Sequence, residues 1–125
     1  MNAESRTREL VTANLPDGRE VDGVRFIDEL LLVAAEVGEI QCSLASDREL
    51  RFQAPDRPAW DVELDRAKTK LRMLCARLGV LCNESGGPEV SLYGGEGVIK
   101  KAGPAQWAVR FMNTPDQQGF IIQAQ

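Results

Sequence analysis

The chain has 125 residues, of which 15 are basic, 19 are acidic and none is histidine. This length predicts one domain, and 27% charged with 43% hydrophobic residues excludes wholesale disorder and a fibrous repeat. Without an imidazole in the chain, the Ser-His-Asp triad and the HExxH zinc site are both excluded, and a net charge of −4 argues against a dedicated nucleic-acid-binding protein.

The first half of the chain predicts an arm and then a helix. Residues 1–20 are mostly polar and end in an Asn-Leu-Pro-Asp-Gly turn, so we predict a mobile N-terminal arm followed by a single domain over 21–125. Apolar residues spaced by three and four positions predict a helix over 23–37. Asp22 is the predicted N-cap of this helix, and Gly38 is predicted to end it.

The middle of the chain predicts a hairpin and a second helix. Apolar and polar residues alternate over 40–44 and again over 50–54, which predicts two antiparallel strands joined by a short turn. An apolar stripe from Trp60 to Leu78 predicts a helix over 59–78 that ends at Gly79. Acidic residues at its start and basic residues later would suit the helix dipole.

Everything after Gly79 predicts β-structure. Short apolar segments are separated by turns rich in glycine and proline, and the predicted strands fall at 80–82, 90–93, 98–100, 107–112 and 120–124. The order helix, hairpin, helix and β-meander predicts an α+β fold, with two main helices packed on one face of a mostly antiparallel sheet of six or seven strands.

Three groups of residues could carry out chemistry, but the pattern of each favours a structural interpretation. The glycines of 94–97 and the lysines after them lack the P-loop spacing, so we predict a hairpin turn. Cys75 and Cys82 lie among apolar residues and are predicted to be core thiols. The acidic residues of 61–65, together with Asp56, do not converge from one helix. We therefore predict no catalytic residue, no metal site and no cofactor, and a protein that is not an enzyme.

The charge is unevenly distributed along the chain. Residues 1–63 carry 14 acidic and 7 basic side chains, whereas residues 64–125 carry 5 and 8. Such a contrast indicates a partner surface, or two faces that attract each other within one domain or between two subunits. From Arg66 to Arg77 the predicted second helix holds five cations and no acid, and this face would bind an acidic partner or stay solvated: Arg66, Lys68, Lys70, Arg72 and Arg77. Nucleic acid is the least favoured partner, because aromatic residues are not interleaved here.

The last predicted strand places large apolar groups on both of its faces. Phe120, Ile121 and Ile122 are consecutive, and neighbouring residues of a strand point to opposite sides. Either the fold covers both sides, or one side meets another chain. These three residues are therefore the predicted interface of a homodimer.

The predicted function is a small binding or regulatory module that acts through its surfaces. Three cysteines without zinc or disulfide spacing, and no apolar run longer than six residues, predict a soluble cytoplasmic protein that does not bind membranes. The alternative is a ligand-binding or enzymatic domain with a pocket between helices and sheet. Such a pocket would be lined by Tyr93 and Trp107, and carboxylates such as Asp56 or Asp61, together with lysines, would replace histidine.

Overall fold

The computed structural model describes residues 2–101 and 103–125, and in them helices and antiparallel strands are both present. The helices are α1 (Ala3–Asn14), α2 (Glu20–Val37) and α3 (Ala67–Glu84). The strands are β1 (Glu39–Ser46), β2 (Glu49–Gln53), β3 (Trp60–Glu63), β4 (Gly94–Lys100), β5 (Gln106–Asn113) and β6 (Gln118–Ala124).

The strands form a single antiparallel sheet in the order β3-β2-β1-β6-β5-β4. Each half of the chain supplies a meander of three strands, and the two meanders join where β1 pairs with β6. At this central seam Gln41 lies opposite Ile121. The predicted α+β fold, with helices on a mostly antiparallel sheet, is confirmed.

Helices α2 and α3 pack on one face of the sheet and enclose the core. Helix α2 ends where predicted, at Gly38, whose φ of 97° is a conformation that glycine adopts without strain. Its predicted N-cap is wrong, because Arg19 holds that position and Asp22 lies in the first turn. The Asp22 carboxylate instead accepts a hydrogen bond of 2.7 Å from Nε of Arg19.

The segment predicted as a mobile arm contains helix α1, which packs against α2. Leu10, Val11 and Leu15 are buried in the common core, and Thr7 is fully buried beside Trp60. A short apolar stripe within a polar sequence is enough to anchor this helix, because each buried apolar side chain contributes roughly 1.5–3 kcal/mol. Residues 3–15 therefore belong to the packed domain.

The predicted start of the second long helix is wrong. Trp60 and Val62 point into the core while Asp61 and Glu63 point away, and this period of two belongs to strand β3. Pairing with β2 overrides the helical spacing of Trp60 and Leu64. The helix begins only at Ala67, after Arg66, which adopts a left-handed conformation with φ of 55°.

The predicted end of that helix at Gly79 is also wrong, and residues 80–82 are helical instead of forming a strand. Gly79 lies inside α3 against the sheet, where a Cβ atom would be 3.2 Å from Cζ of Phe111. Here glycine permits close packing of the helix on the sheet. From the sequence alone, this role cannot be distinguished from the ending of a helix.

The glycine-rich segment expected to be a turn is the edge strand β4, and the predicted strand over 90–93 is a loop. Gly97 lets the end of α3 approach this strand, since a Cβ atom there would lie 2.9 Å from Cys82. Val90 is held by the Asn83 side chain, which accepts from the Val90 N–H at 2.7 Å and donates to its carbonyl at 3.2 Å. The Asn83 amide thus makes the backbone hydrogen bonds that a neighbouring strand would make.

Candidate functional site

The alternation of side chains along each strand divides the sheet into two unlike surfaces. One surface faces α2 and α3 and is mostly buried. The other, which we call the open face, carries only exposed or half-buried residues. Its residues are Glu39, Gln41 and Ser43 of β1, Glu49, Arg51 and Gln53 of β2, Asp61 and Glu63 of β3, Gly94, Glu96, Val98 and Lys100 of β4, Gln106, Ala108, Arg110 and Met112 of β5, and Gly119, Ile121 and Gln123 of β6.

The centre of the open face is poor in charge. Ile121 lies between Gln41 and Arg110 in neighbouring strands, and Ala108 lies between Gln123 and Val98. Towards the β4 edge, Val98 and Met112 are large apolar side chains that remain 36% and 42% exposed. A charge-poor centre with apolar and amide groups is typical of the middle of a protein interface.

Charged side chains lie mostly towards the sides of the open face, and several form exposed ion pairs. Arg51 contacts Asp61 at 2.9 Å, and Arg110 contacts Glu96 at 2.8 Å. A hydrogen bond from Arg51 holds the pKa of Asp61 below its usual range. Exposed pairs of this kind add little stability, so their main effect is to set the charge pattern of the face.

Two hollows indent the open face. The larger has a volume of about 640 Å³ and extends over β4, β5 and β6, where Val98, Ala108 and Ile121 line it. It also reaches Cys82 and residues 86–88, at the end of α3 and in the loop after it. The smaller, of about 300 Å³, lies over Gly119 between Ser43 and Met112. A Cβ atom at Gly119 would lie 3.0 Å from the Cys42 carbonyl oxygen, so glycine keeps this hollow open. The face is therefore indented enough to accept side chains of another molecule.

The five cations predicted to share one helix face do not share one exposed surface. Arg66 and Lys68 are exposed at the start of α3, Arg72 donates to Oδ1 of Asn113 at 3.1 Å, and Arg77 is half-buried. Lys70 is only 7% exposed, and its ammonium donates to the carbonyl oxygens of Pro16 and Asp65 at 2.9 and 2.7 Å. This buried lysine connects the loop before α2 to the start of α3, and its ammonium is not available to bind a partner.

The Lys70→Met variant is expected to lower the free energy of unfolding by about 2–3 kcal/mol, because it leaves two carbonyl oxygens without their charged donor. Lys68→Met is the matched control, since the Lys68 side chain is exposed and its loss is expected to cost less than about 0.5 kcal/mol. Urea unfolding of both variants measures the difference. Equal stabilities would contradict the bonding role of Lys70.

The two residues of the predicted pocket do not meet in either hollow. Trp107 is buried beneath α2, where its indole N–H donates to the Leu31 carbonyl at 2.9 Å. Tyr93 lies in the loop before β4 and is 67% exposed. Trp107 is thus a core residue, and Tyr93 lies outside the helix–sheet core.

Of the three residues of the predicted interface, only one lies on the open face. Phe120 and Ile122 point towards the helices and are buried in the core, so they cannot contact another chain. Ile121 points the other way and is half-buried. The residues that surround Ile121 on the neighbouring strands were not predicted from the sequence. The available signal was the set of uncharged residues at alternate strand positions, such as Gln41, Ala108 and Gln123.

Burial explains why the cysteines are not candidate nucleophiles. All three are buried free thiols, so the predicted core positions of Cys75 and Cys82 are confirmed. Sγ of Cys75 lies 3.6 Å from the Met112 carbonyl oxygen. Burial raises the pKa of Cys75 from 9.0 to about 11, although the Arg72 charge acts in the opposite direction.

Because the pKa of Cys75 is raised, the free energy of unfolding falls as the pH rises through the alkaline range. Between about pH 9 and 11 the unfolded thiol loses its proton while the folded one keeps it, so unfolding is favoured by about 1.4 kcal/mol per pH unit. We expect Cys75→Ala to show a shallower decline than the unaltered chain in urea titrations over this range. Equal slopes for the two proteins would contradict the assignment.

The fold and face together define a class: α+β proteins whose antiparallel sheet is covered by helices on one side and open on the other. No protein-family model matches the chain, and no curated protein matches it. In the part of the chain that the structure describes, no helix is long and apolar enough to cross a membrane. Nor does any group of three or more His, Cys, Asp or Glu side chains among these residues suit a metal ion.

Proposed function

We propose that this protein is a non-enzymatic binding or regulatory module that binds another polypeptide through the open face of its sheet. The observation that carries the proposal is the composition of this face. Its middle strands β1 and β6 contribute Ile121, Gln41 and Gln123, and Met112 on β5 and Val98 on β4 add exposed apolar groups, while most charges lie on the outer strands β2, β3 and β4. A binding surface needs such a centre, whereas a strand face that only meets water is usually charged or hydroxylated.

The shape of the face supports the same proposal. The hollows over Gly119 and beside Ala108 could receive side chains of a partner. The exposed apolar groups of the helical layer, by contrast, include Val21 and Leu32 of α2 and Val80 of α3, which are separate positions on two helices. Apolar groups scattered in this way are normal on any protein surface. A cytoplasmic location remains part of the proposal and is supported by the three unpaired cysteines.

Site-specific photo-crosslinking in the cells that make the protein tests the proposal. A photoreactive amino acid replaces Met112 on the open face, or Leu32 on α2 as the matched control, because both are exposed apolar residues at 42% and 54%. The proposal expects a protein adduct from position 112 that is lost when Ile121→Asp is added, and no such adduct from position 32. A chain that yields no adduct at position 112, or the same adducts from both positions, would overturn it.

A further inference from the structure

We infer that the open face binds an acidic segment of its partner, whose carboxylates pair with Arg51 and Arg110 while an apolar side chain between them enters the hollow over Gly119. The inference rests on the proposed function, since it names the chemistry of the polypeptide that this face binds. The sequence predicted an acidic partner at the cations of α3, whereas the geometry places one on the sheet.

The hollow over Gly119 has cations but no carboxylate among its lining residues. Arg51 of β2 lines it on one side and Arg110 of β5 on the other, and the residues between them in the sheet include the small Ser43 and Gly119. All of the other residues that line this hollow are uncharged. A group that enters it therefore meets positive charge from two sides, which favours a ligand with negative charge.

The ion pairs of these two arginines leave most of their hydrogen-bond donors unused. Asp61 of the edge strand β3 accepts from Nε and Nη2 of Arg51 at 2.9 and 3.2 Å. Glu96 of the opposite edge strand β4 accepts from Nε of Arg110 at 2.8 Å. A guanidinium has five N–H donors, and no other bond uses those of Arg51 or Arg110 in the part of the chain that the structure describes. The remaining donors can bind carboxylates of a partner, and such charge-assisted bonds are among the stronger ones.

Between the two cations the hollow offers apolar and amide contacts. Met112, which is 42% exposed, and the half-buried Ile121 line it beside Gly119, so an apolar side chain in the hollow would be removed from water. The amides of Gln53 and Gln117 line it as well, and each has a donor and an acceptor for the backbone of an extended segment.

The spacing of the two arginines suits an extended segment that crosses the strands. Strands β2 and β5 are three strand spacings apart, and Arg110 is offset by one two-residue step from the level of Arg51, so their Cα atoms are roughly 16 Å apart. Side chains at positions i and i+4 of an extended segment point the same way and are about 13 Å apart. The long arginine side chains cover the difference, and the side chain at i+2 lies over the hollow. We therefore expect carboxylates at i and i+4 and an apolar residue at i+2.

The carboxylates at the margins of the open face restrict the partner to a short acidic segment. Glu49 and Glu63 lie two residues beyond Arg51 and Asp61 on β2 and β3, and Glu39 lies on β1. Nucleic acid or an anionic membrane presents negative charge over a wide area and would meet these carboxylates as well as the two arginines. A polypeptide places its carboxylates only where the arginines lie, so the charge pattern of the face selects a polypeptide.

Two double variants that break the same two ion pairs test the inference. Arg51→Gln/Arg110→Gln removes the cations, whereas the matched control Asp61→Asn/Glu96→Gln removes only their carboxylates. The readout is the adduct from the photoreactive residue at position 112, which lines the hollow. We expect the loss of the arginines to lower the adduct yield at least about fivefold, and the loss of the carboxylates not to lower it. Mass spectrometry of the adduct is expected to place the crosslink in a segment with carboxylates at i and i+4.

Each other outcome overturns the inference. If the adduct yield is the same without the two arginines, no carboxylate of the partner pairs with them. If both double variants lower the yield equally, the ion pairs maintain the face and the charge of the partner has no part in binding. A crosslinked segment without carboxylates has the same meaning. In these three cases the proposed function survives, because position 112 still gives an adduct with a partner, whereas the absence of any adduct removes both.

Discussion

The Ile122→Asp variant is expected not to fold. Ile122 is fully buried beneath the helices, and the carboxylate would replace one of the core side chains. Removing a buried isoleucine costs 2–5 kcal/mol by itself, and burying an unpaired charge adds to that cost. The sum approaches the whole stability of a typical domain, about 5–15 kcal/mol. Circular dichroism and urea unfolding measure the loss.

Ile121→Asp makes the same chemical change one residue earlier and is expected to leave the chain folded. Ile121 lies on the open face directly opposite Arg110, so the new carboxylate has water and a guanidinium nearby. We expect its free energy of unfolding to change by less than about 1 kcal/mol. Similar losses of stability in both variants would show that the fold covers both faces of β6.

Trp60→Ala is expected to lower the free energy of unfolding by about 3–5 kcal/mol, the usual cost of removing a buried tryptophan. The indole stacks on Phe52 with ring centroids 6.2 Å apart, and its N–H donates to Oγ1 of Thr7 at 2.9 Å. The Arg57 guanidinium lies over the same indole ring, 4.9 Å from its centroid. Trp60 therefore joins β3 to α1, and its loss weakens both the sheet and the attachment of the first helix.

Trp60→Phe is the matched control, because phenylalanine keeps an aromatic ring but lacks the N–H. We expect it to cost about 1–2 kcal/mol, since Thr7 still bonds to the Glu4 carbonyl. Urea unfolding compares the variants. A Trp60→Ala variant within about 1 kcal/mol of the unaltered chain would contradict the packing of α1 on β3.

The fold class and several elements could be predicted from the sequence because local periodicity and tertiary packing agree there. Helix α2 has one apolar stripe and ends at Gly38, and β1 and β2 alternate cleanly around a short turn. In these segments the apolar residues already mark the buried side. The sheet could be predicted to be antiparallel because its strands show one polar face.

The other elements depend on contacts between distant residues. Trp60 and Leu64 have helical spacing, but pairing with β2 makes this segment a strand. Gly79 and Gly97 are required by close approach to Phe111 and Cys82, which sequence proximity does not reveal. Likewise, the sequence predicts Lys70 to be a surface cation, whereas its ammonium donates to the loop carbonyl of Pro16, which is 54 positions away in the chain.

The candidate site was only partly predictable for the same reason. Two apolar residues in succession, Ile121 and Ile122, showed that the last strand has two apolar faces. The assignment of Ile122 to the core and Ile121 to the open face required the position of the helices. The two arginines beside the hollow over Gly119 come from β2 and β5, and only the β1–β6 seam brings these strands into one surface.

The photo-crosslink at position 112 tests most directly the claim that the open face binds another polypeptide. The adduct is compared between the otherwise unaltered chain and chains that also carry Ile121→Asp or Leu32→Asp, whose site on α2 is 54% exposed. We expect the adduct with the otherwise unaltered chain and with Leu32→Asp, and no adduct with Ile121→Asp, which stays folded. An adduct that persists in Ile121→Asp, or one that Leu32→Asp also removes, would contradict the claim.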